Sequence, residues 1–188
     1  MIYKWDAPIT TIVLHNTAVS RAVQPLQLDA VNTHHKNKDW GGGWKQTEPS
    51  ELGFYVGYNF FCEPTGTRTQ TRKIGEQTIA QIGNNCDVPG RCGMVSYCMA
   101  GYFKVEKPTQ HQINDFIKFY WEIKAKYPKV VVKQHKDVHP GRTCAELSDA
   151  EIQSWLKPET EQEKLDRLYA QIVQLQAMVE VLLKNKKR

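Results

Sequence analysis

The stretch Ile9-Thr10-Thr11-Ile12-Val13-Leu14-His15 decides the fold class. It is β-branched and aliphatic, with no polar alternation, and so reads as a strand buried within a sheet. A second run, Val130-Val131-Val132, reads as a short buried strand leading to His135. Between them, Ser20 to Asp39 reads as a helix with Pro25 in its first turn. Gly53 to Cys62 reads as a strand, Glu63 to Gly66 as a turn, and Thr67 to Lys73 as the returning strand of a hairpin. Met94 to Phe103 is a further strand. Thr109-Gln110-His111-Gln112 is a capping box. It opens a helix whose expected apolar face is Ile113, Phe116, Ile117, Tyr120, Ile123 and Tyr127. The expected architecture is α/β, a mixed central β-sheet with helices packed on it.

The chain has 188 residues, 40% hydrophobic and 24% charged, a globular composition that excludes disorder and fibrous repeats. No apolar run approaches the roughly 20 residues of a membrane span, so no stable membrane insertion is expected. Met1 to Asp6 carries an acid and no long apolar stretch, which does not read as a signal peptide. The expectation is therefore cytoplasmic synthesis, with action elsewhere only after release. The net charge of +5 comes from scattered rather than clustered Lys and Arg, which argues against nucleic acid and fits an anionic polymer. Five cysteines, an odd count, do not read as a disulfide framework.

Composition changes at Pro158, because all 12 glycines lie before it and the only aromatic residue after it is Tyr169. This divides the chain into a globular domain, 1–157, and a C-terminal segment, 158–188. In the latter, Leu165, Leu168, Ile172, Leu175, Val179 and Leu182 recur at heptad a and d positions, the pattern of a coiled-coil helix. Homo-oligomerisation through 165–182 is expected, the rival being a helix folded back on its own domain.

Two strand ends carry chemistry. One is Leu14-His15-Asn16-Thr17; the other runs from Gln134-His135 to Thr143-Cys144. Side chains leaving strand ends meet loop-built clefts, where α/β sites lie. Two imidazoles and a thiolate suit zinc, and three protein ligands with one open position is a catalytic arrangement. The same residues also read as a Cys–His nucleophile pair, and a histidine nine residues before a cysteine matches no zinc-finger spacing.

Five stretches together resemble the zinc-dependent N-acetylmuramoyl-L-alanine amidases, the type that shares its fold with peptidoglycan recognition proteins, and most closely the phage lysozyme-type amidases. They are IVLHNTA (12–18), VNTHHKNKDW (31–40), Gly57-Tyr58-Asn59-Phe60-Phe61 with Gly66-Thr67, MVSYCMAGYF (94–103) and QHKDVHPGRTCAE (134–146). The resemblance spans roughly 9–150 with segment order kept. It implies His15, His135 and Cys144 as zinc ligands, Tyr58 as the catalytic tyrosine, and Arg142 in place of the family's catalytic lysine. It also implies peptidoglycan as partner and hydrolysis, by zinc-activated water, of the bond between N-acetylmuramic acid and L-alanine. A phage endolysin or virion-carried wall enzyme fits a chain without a leader.

The sequence departs from the family pattern at several points. Asn16 stands for a second histidine, Gln81 for a histidine, and Ala145-Glu146 for Pro-Gly, while 40–50 is longer than the usual link. The central strand has no glutamate, as in the tyrosine-using branch. A non-catalytic wall-binding or virion structural module of the same fold is the alternative, and a thiol peptidase using Cys144 with His135 is another. His34, His35, His111 and His139 read as surface or packing residues, and Cys62 and Cys98 as small core residues. Cys86 and Cys92 are placed to close a loop in an oxidising space. Trp40, Trp44 and Tyr55 form either a sugar-stacking wall or core.

Overall fold

The computed structural model describes residues 8–39, 46–79, 93–139, 141–158 and 160, with Leu165, Tyr169, Ile172, Leu175, Gln176 and Val179 of the tail. The chain divides into two compact units, Met1–Trp155 and Leu156–Arg188.

In the first unit the order is β1 (Thr11–Asn16), α1 (Leu28–His35), β2 (Phe60–Cys62), β3 (Arg68–Gln70), β4 (Met94–Met99), α2 (Gln110–Lys126), β5 (Val131–Gln134), α3 (His135–Val138) and α4 (Asp149–Leu156). The sheet order is β3-β2-β4-β1-β5. β2, β4, β1 and β5 are parallel, and β3 returns antiparallel to β2. This is the mixed α/β sheet the sequence predicts.

Register sorts the side chains between the two faces. Tyr97 pairs with Phe60 and Leu14, and Cys98 with Phe61 and His15. The Tyr97 and Phe60 rings pack on Phe119 of α2 at 4.9 and 4.8 Å between centroids, and Phe116 meets Tyr97 at 5.1 Å. Phe61 and Cys98 join Val56, Tyr58, Ile79 and Ala100 on the other face, with Leu28 and Val31 of α1 against them. Each fully buried ring or aliphatic side chain contributes about 1.5–3 kcal/mol. His15 therefore belongs to the face that α1 covers.

Several elements differ from expectation; the strand expected over 94–103 ends at Met99, and the returning strand expected over 67–73 is confined to Arg68–Gln70. The helix expected over 20–39 is confined to Leu28–His35. Gln27 supplies no side-chain cap; instead the Glu63 carboxylate, from the residue after β2, accepts the amides of Gln27 (3.0 Å) and Leu28 (2.8 Å). An anion at a helix N-terminus satisfies donors that the helix leaves open. The strand expected over 53–62 is confined to Phe60–Cys62, because side chains take the upstream backbone groups. Asn32 Oδ1 accepts Tyr55 N–H, His35 Nδ1 accepts Gly57 N–H, and Arg72 Nε donates to Val56 C=O.

The α2 capping box forms as expected, but the buried residues are Gln112, Phe116, Phe119 and Ile123 rather than the full expected stripe. Gln112 Nε2 donates to the carbonyls of Cys62 (3.2 Å) and Ala100 (2.8 Å), which explains a polar residue in the interface. β5 is an edge strand, not a buried one, and Val131 is 50% exposed.

In the second unit the described residues Leu165, Tyr169, Ile172, Leu175 and Val179 are helical with exposed apolar side chains, whereas Leu168 and Leu182 lie outside the described residues. No helix among the described residues is long and apolar enough to cross a membrane.

Candidate metal centre

Parallel β1, β4 and β5 bring their carboxyl ends to one edge of the sheet. His15 sits near the end of β1 and is wholly buried; His135 directly follows β5 and begins α3. Cys144 arrives on the loop after α3, where its carbonyl accepts Lys136 N–H at 2.8 Å. The Gln134 side chain fixes the continuation of that loop. Its Oε1 accepts Leu147 N–H, and its Nε2 donates to Leu147 C=O and to Asp149 Oδ1, each at 3.0 Å.

The result is a convergent trio. Cys144 Sγ lies 3.3 Å from His135 Nδ1 and 3.9 Å from His15 Nδ1, and the two imidazole centroids are 4.4 Å apart. Among the described residues this is the one cluster of three His, Cys, Asp or Glu ligand atoms, all within 4.8 Å of one another. Metal–nitrogen bonds of about 2.0–2.1 Å and a metal–sulfur bond of about 2.3 Å subtend an N···S separation of about 3.5 Å in a tetrahedron. The two N···S distances bracket that value.

The electrostatics fit a metal better than a thiol nucleophile. Burial holds His15 well below the usual imidazole range and brings His135 down to about 3, helped by the positive charge of Arg142. Burial also pushes the Cys144 thiol up, to about 11. Both groups of the close His135–Cys144 pair are therefore neutral, whereas a nucleophilic cysteine needs a depressed thiol pKa. A cation between them reverses the balance, because it stabilises the thiolate and needs neutral imidazoles. Both Nε2 atoms are buried without a hydrogen-bond partner, so no second acceptor or donor fixes either ring.

Tyr58 is buried with its ring 4.8 Å from that of His15. Its phenol is pushed well above its usual range, first by burial and then by the neighbouring Cys98 and Cys144. Gly57 before it is required by space, since a Cβ there would stand 2.2 Å from Ile79 Cγ2. Arg142 is exposed on the loop between α3 and Cys144, and its charge acts on His135, Tyr58 and Cys144. A cavity of about 300 Å³ opens beside Tyr58, walled by Thr17, Gln27, Val31, His34 and His35.

His15, His135 and Cys144 thus converge at one sheet edge, with the Tyr58 ring against His15. His139 stands at 5.7 Å from the His135 ring and does not join the cluster. Of the two readings given for His35, surface or packing, the second holds: it is buried, its ring 5.6 Å from that of Tyr58 and its pKa brought down to about 3 by burial. Cys62 and Cys98 are buried free thiols, as expected of core residues. Trp40, Trp44, Gln81, Cys86 and Cys92 lie outside the described residues.

Residues 5–146 match the N-acetylmuramoyl-L-alanine amidase family. Among solved structures, the amidase LysC from Clostridium intestinale is 22% identical, with 80% of this chain and 86% of that one covered and a TM-score of 0.56. The Ph2119 endolysin from a Thermus scotoductus bacteriophage is 17% identical, with 84% and 90% covered and a TM-score of 0.60. The bumblebee peptidoglycan recognition protein SA is 17% identical, with 83% and 87% covered and a TM-score of 0.61. At these identities the structures share the fold. No curated protein matches the chain.

Proposed function

Since the chain belongs to the N-acetylmuramoyl-L-alanine amidase family, we propose that it is a zinc-dependent peptidoglycan amidase that cleaves between the lactyl group of N-acetylmuramic acid and L-alanine. The observation that carries this reading is the convergence of His15, His135 and Cys144 with ligand atoms within 4.8 Å. Zinc held by these three would supply a Lewis acid that polarises the scissile carbonyl and acidifies water.

The chain's own groups supply the rest. Tyr58 stays protonated across any working pH and offers a hydrogen bond from a fixed ring beside His15. Arg142 would stabilise the developing oxyanion, a task for a fixed cation; arginine, unlike lysine, does not shuttle a proton. The cavity beside Tyr58 receives the stem peptide. The product acts on the cell wall as a phage endolysin or virion-associated enzyme. The apolar stripe of the tail joins copies of the chain, which multiplies weak wall contacts.

The decisive experiment combines metal analysis with turbidity loss of wall suspensions. Wild type is expected to carry about one zinc per chain, to clear the suspension, to lose activity with chelator and to regain it with zinc. His135→Ala is expected to lose both metal and lysis. Zinc far below one per chain overturns the metal reading, and intact wall with zinc bound assigns the chain to the non-catalytic branch of the fold. Inhibition by alkylation with indifference to chelator would instead establish a thiol peptidase.

A further inference from the structure

His15 and Asn16 are the last two residues of β1, and successive side chains of a strand leave opposite faces. The loop carrying Cys144 crosses that strand end and is grasped from both sides. On one side Cys144 Sγ faces His15. On the other, Asn16 Nδ2 donates to Ala145 C=O at 3.1 Å and to Glu146 Oε2 at 3.4 Å. One buried residue, 3% exposed, therefore holds the two loop residues that directly follow Cys144, about 130 positions away in the chain.

The two acceptors dictate which end of the amide faces the loop. A carbonyl oxygen in place of Nδ2 would stand against Ala145 C=O and the Glu146 carboxylate, with no proton between them. Asn16 Oδ1 has no hydrogen-bond partner, so the contact with the loop is what orients the side chain. Glu146 adopts φ 65°, a left-handed conformation that residues with a Cβ seldom take, and its side chain is one of the groups Asn16 holds.

We infer that Asn16 is a positioning residue that fastens the Cys144 loop to β1, so that the third ligand stands in place before metal arrives. The inference rests on the zinc reading above. Asn16 is not a ligand and touches no substrate; it acts through Cys144. Partners that orient metal ligands typically account for about 10–100-fold in affinity.

The test uses the full chain, stripped of metal, in zinc titrations against a chromophoric chelator, with circular dichroism confirming the fold of each variant. Asn16→Ala is expected to weaken zinc about tenfold or more. Asn16→Asp should weaken it further, because a second carboxylate then meets Ala145 C=O and Glu146. Adding Glu146→Gln to Asn16→Asp should recover affinity, because the new amide donates to the introduced carboxylate. That rescue separates positioning from general destabilisation, and it remains readable if Asn16→Ala fails to fold. Wild-type affinity in folded Asn16→Ala, or no recovery in the double variant, overturns the inference while leaving the zinc site standing. Failure of the wild-type chain to bind zinc overturns both.

Discussion

β1 and β5 each deliver a histidine to the same corner of the sheet by different means. β1 lies between β4 and β5, and all six of its residues are buried. Packing on two faces and pairing on two edges fix the backbone that presents His15. β5 is an edge strand with Val131 half exposed, and four residues give it little grip. His135 is instead held by polar braces, chiefly Gln134 on Leu147 and Asp149 and Lys136 N–H on Cys144 C=O. One ligand is placed by the core and the other by hydrogen bonds, so damage to the two strands should differ in kind.

The largest effect is expected in β1. Leu14→Ala removes a wholly buried side chain and should cost about 2–5 kcal/mol in urea unfolding. Zinc affinity measured on the folded fraction should fall less than stability does. At the β5 end, Gln134→Ala leaves the buried amide of Leu147 without its partner and its carbonyl with Lys136 Nζ alone, and should cost about 1–3 kcal/mol. Here zinc affinity should fall along with stability, because the lost brace holds the Cys144 loop. Equal losses of affinity in the two variants would erase the contrast.

Acid should then act on both strand ends. Burial keeps His15, His35 and His135 neutral in the folded chain, with His35 and His135 at about 3 against an ordinary 6.5. The unfolded chain binds protons that the folded one refuses, so stability is complete above about 6.5 and drains as pH falls towards 3. Melting temperature of the metal-free chain should drop through that window, and His35→Gln should flatten the slope. The smallest effect is expected from Val131→Ala on the exposed edge of β5, at about 0.5 kcal/mol or less in the same unfolding assay.

Much of this layout was legible in the chain itself. Strand ends at His15 and His135 follow from β-branched runs, and the α2 start follows from Thr109 and Gln112, because these signals are local. What escaped depends on partners far along the chain. Asn32, His35 and Arg72 take hydrogen bonds that would otherwise have extended β2, and Glu63 sets where α1 starts. Gln112 falls in a helix interface that periodicity assigns to apolar residues, and only the strand carbonyls it caps reveal why. The edge position of β5 is a matter of topology, which composition does not encode. The short α3 and α4 carry too few turns for a periodic signal.

The carboxylate of Glu63 binds the first amides of α1 across a gap of 35 residues. The wall of the cleft is thus not a detachable cassette. A helix transplanted from a relative with a different pocket would arrive with its leading donors bare, unless the acidic residue following β2 travelled with it. Re-engineering of selectivity in this scaffold has to treat strand end and helix start as one inherited unit.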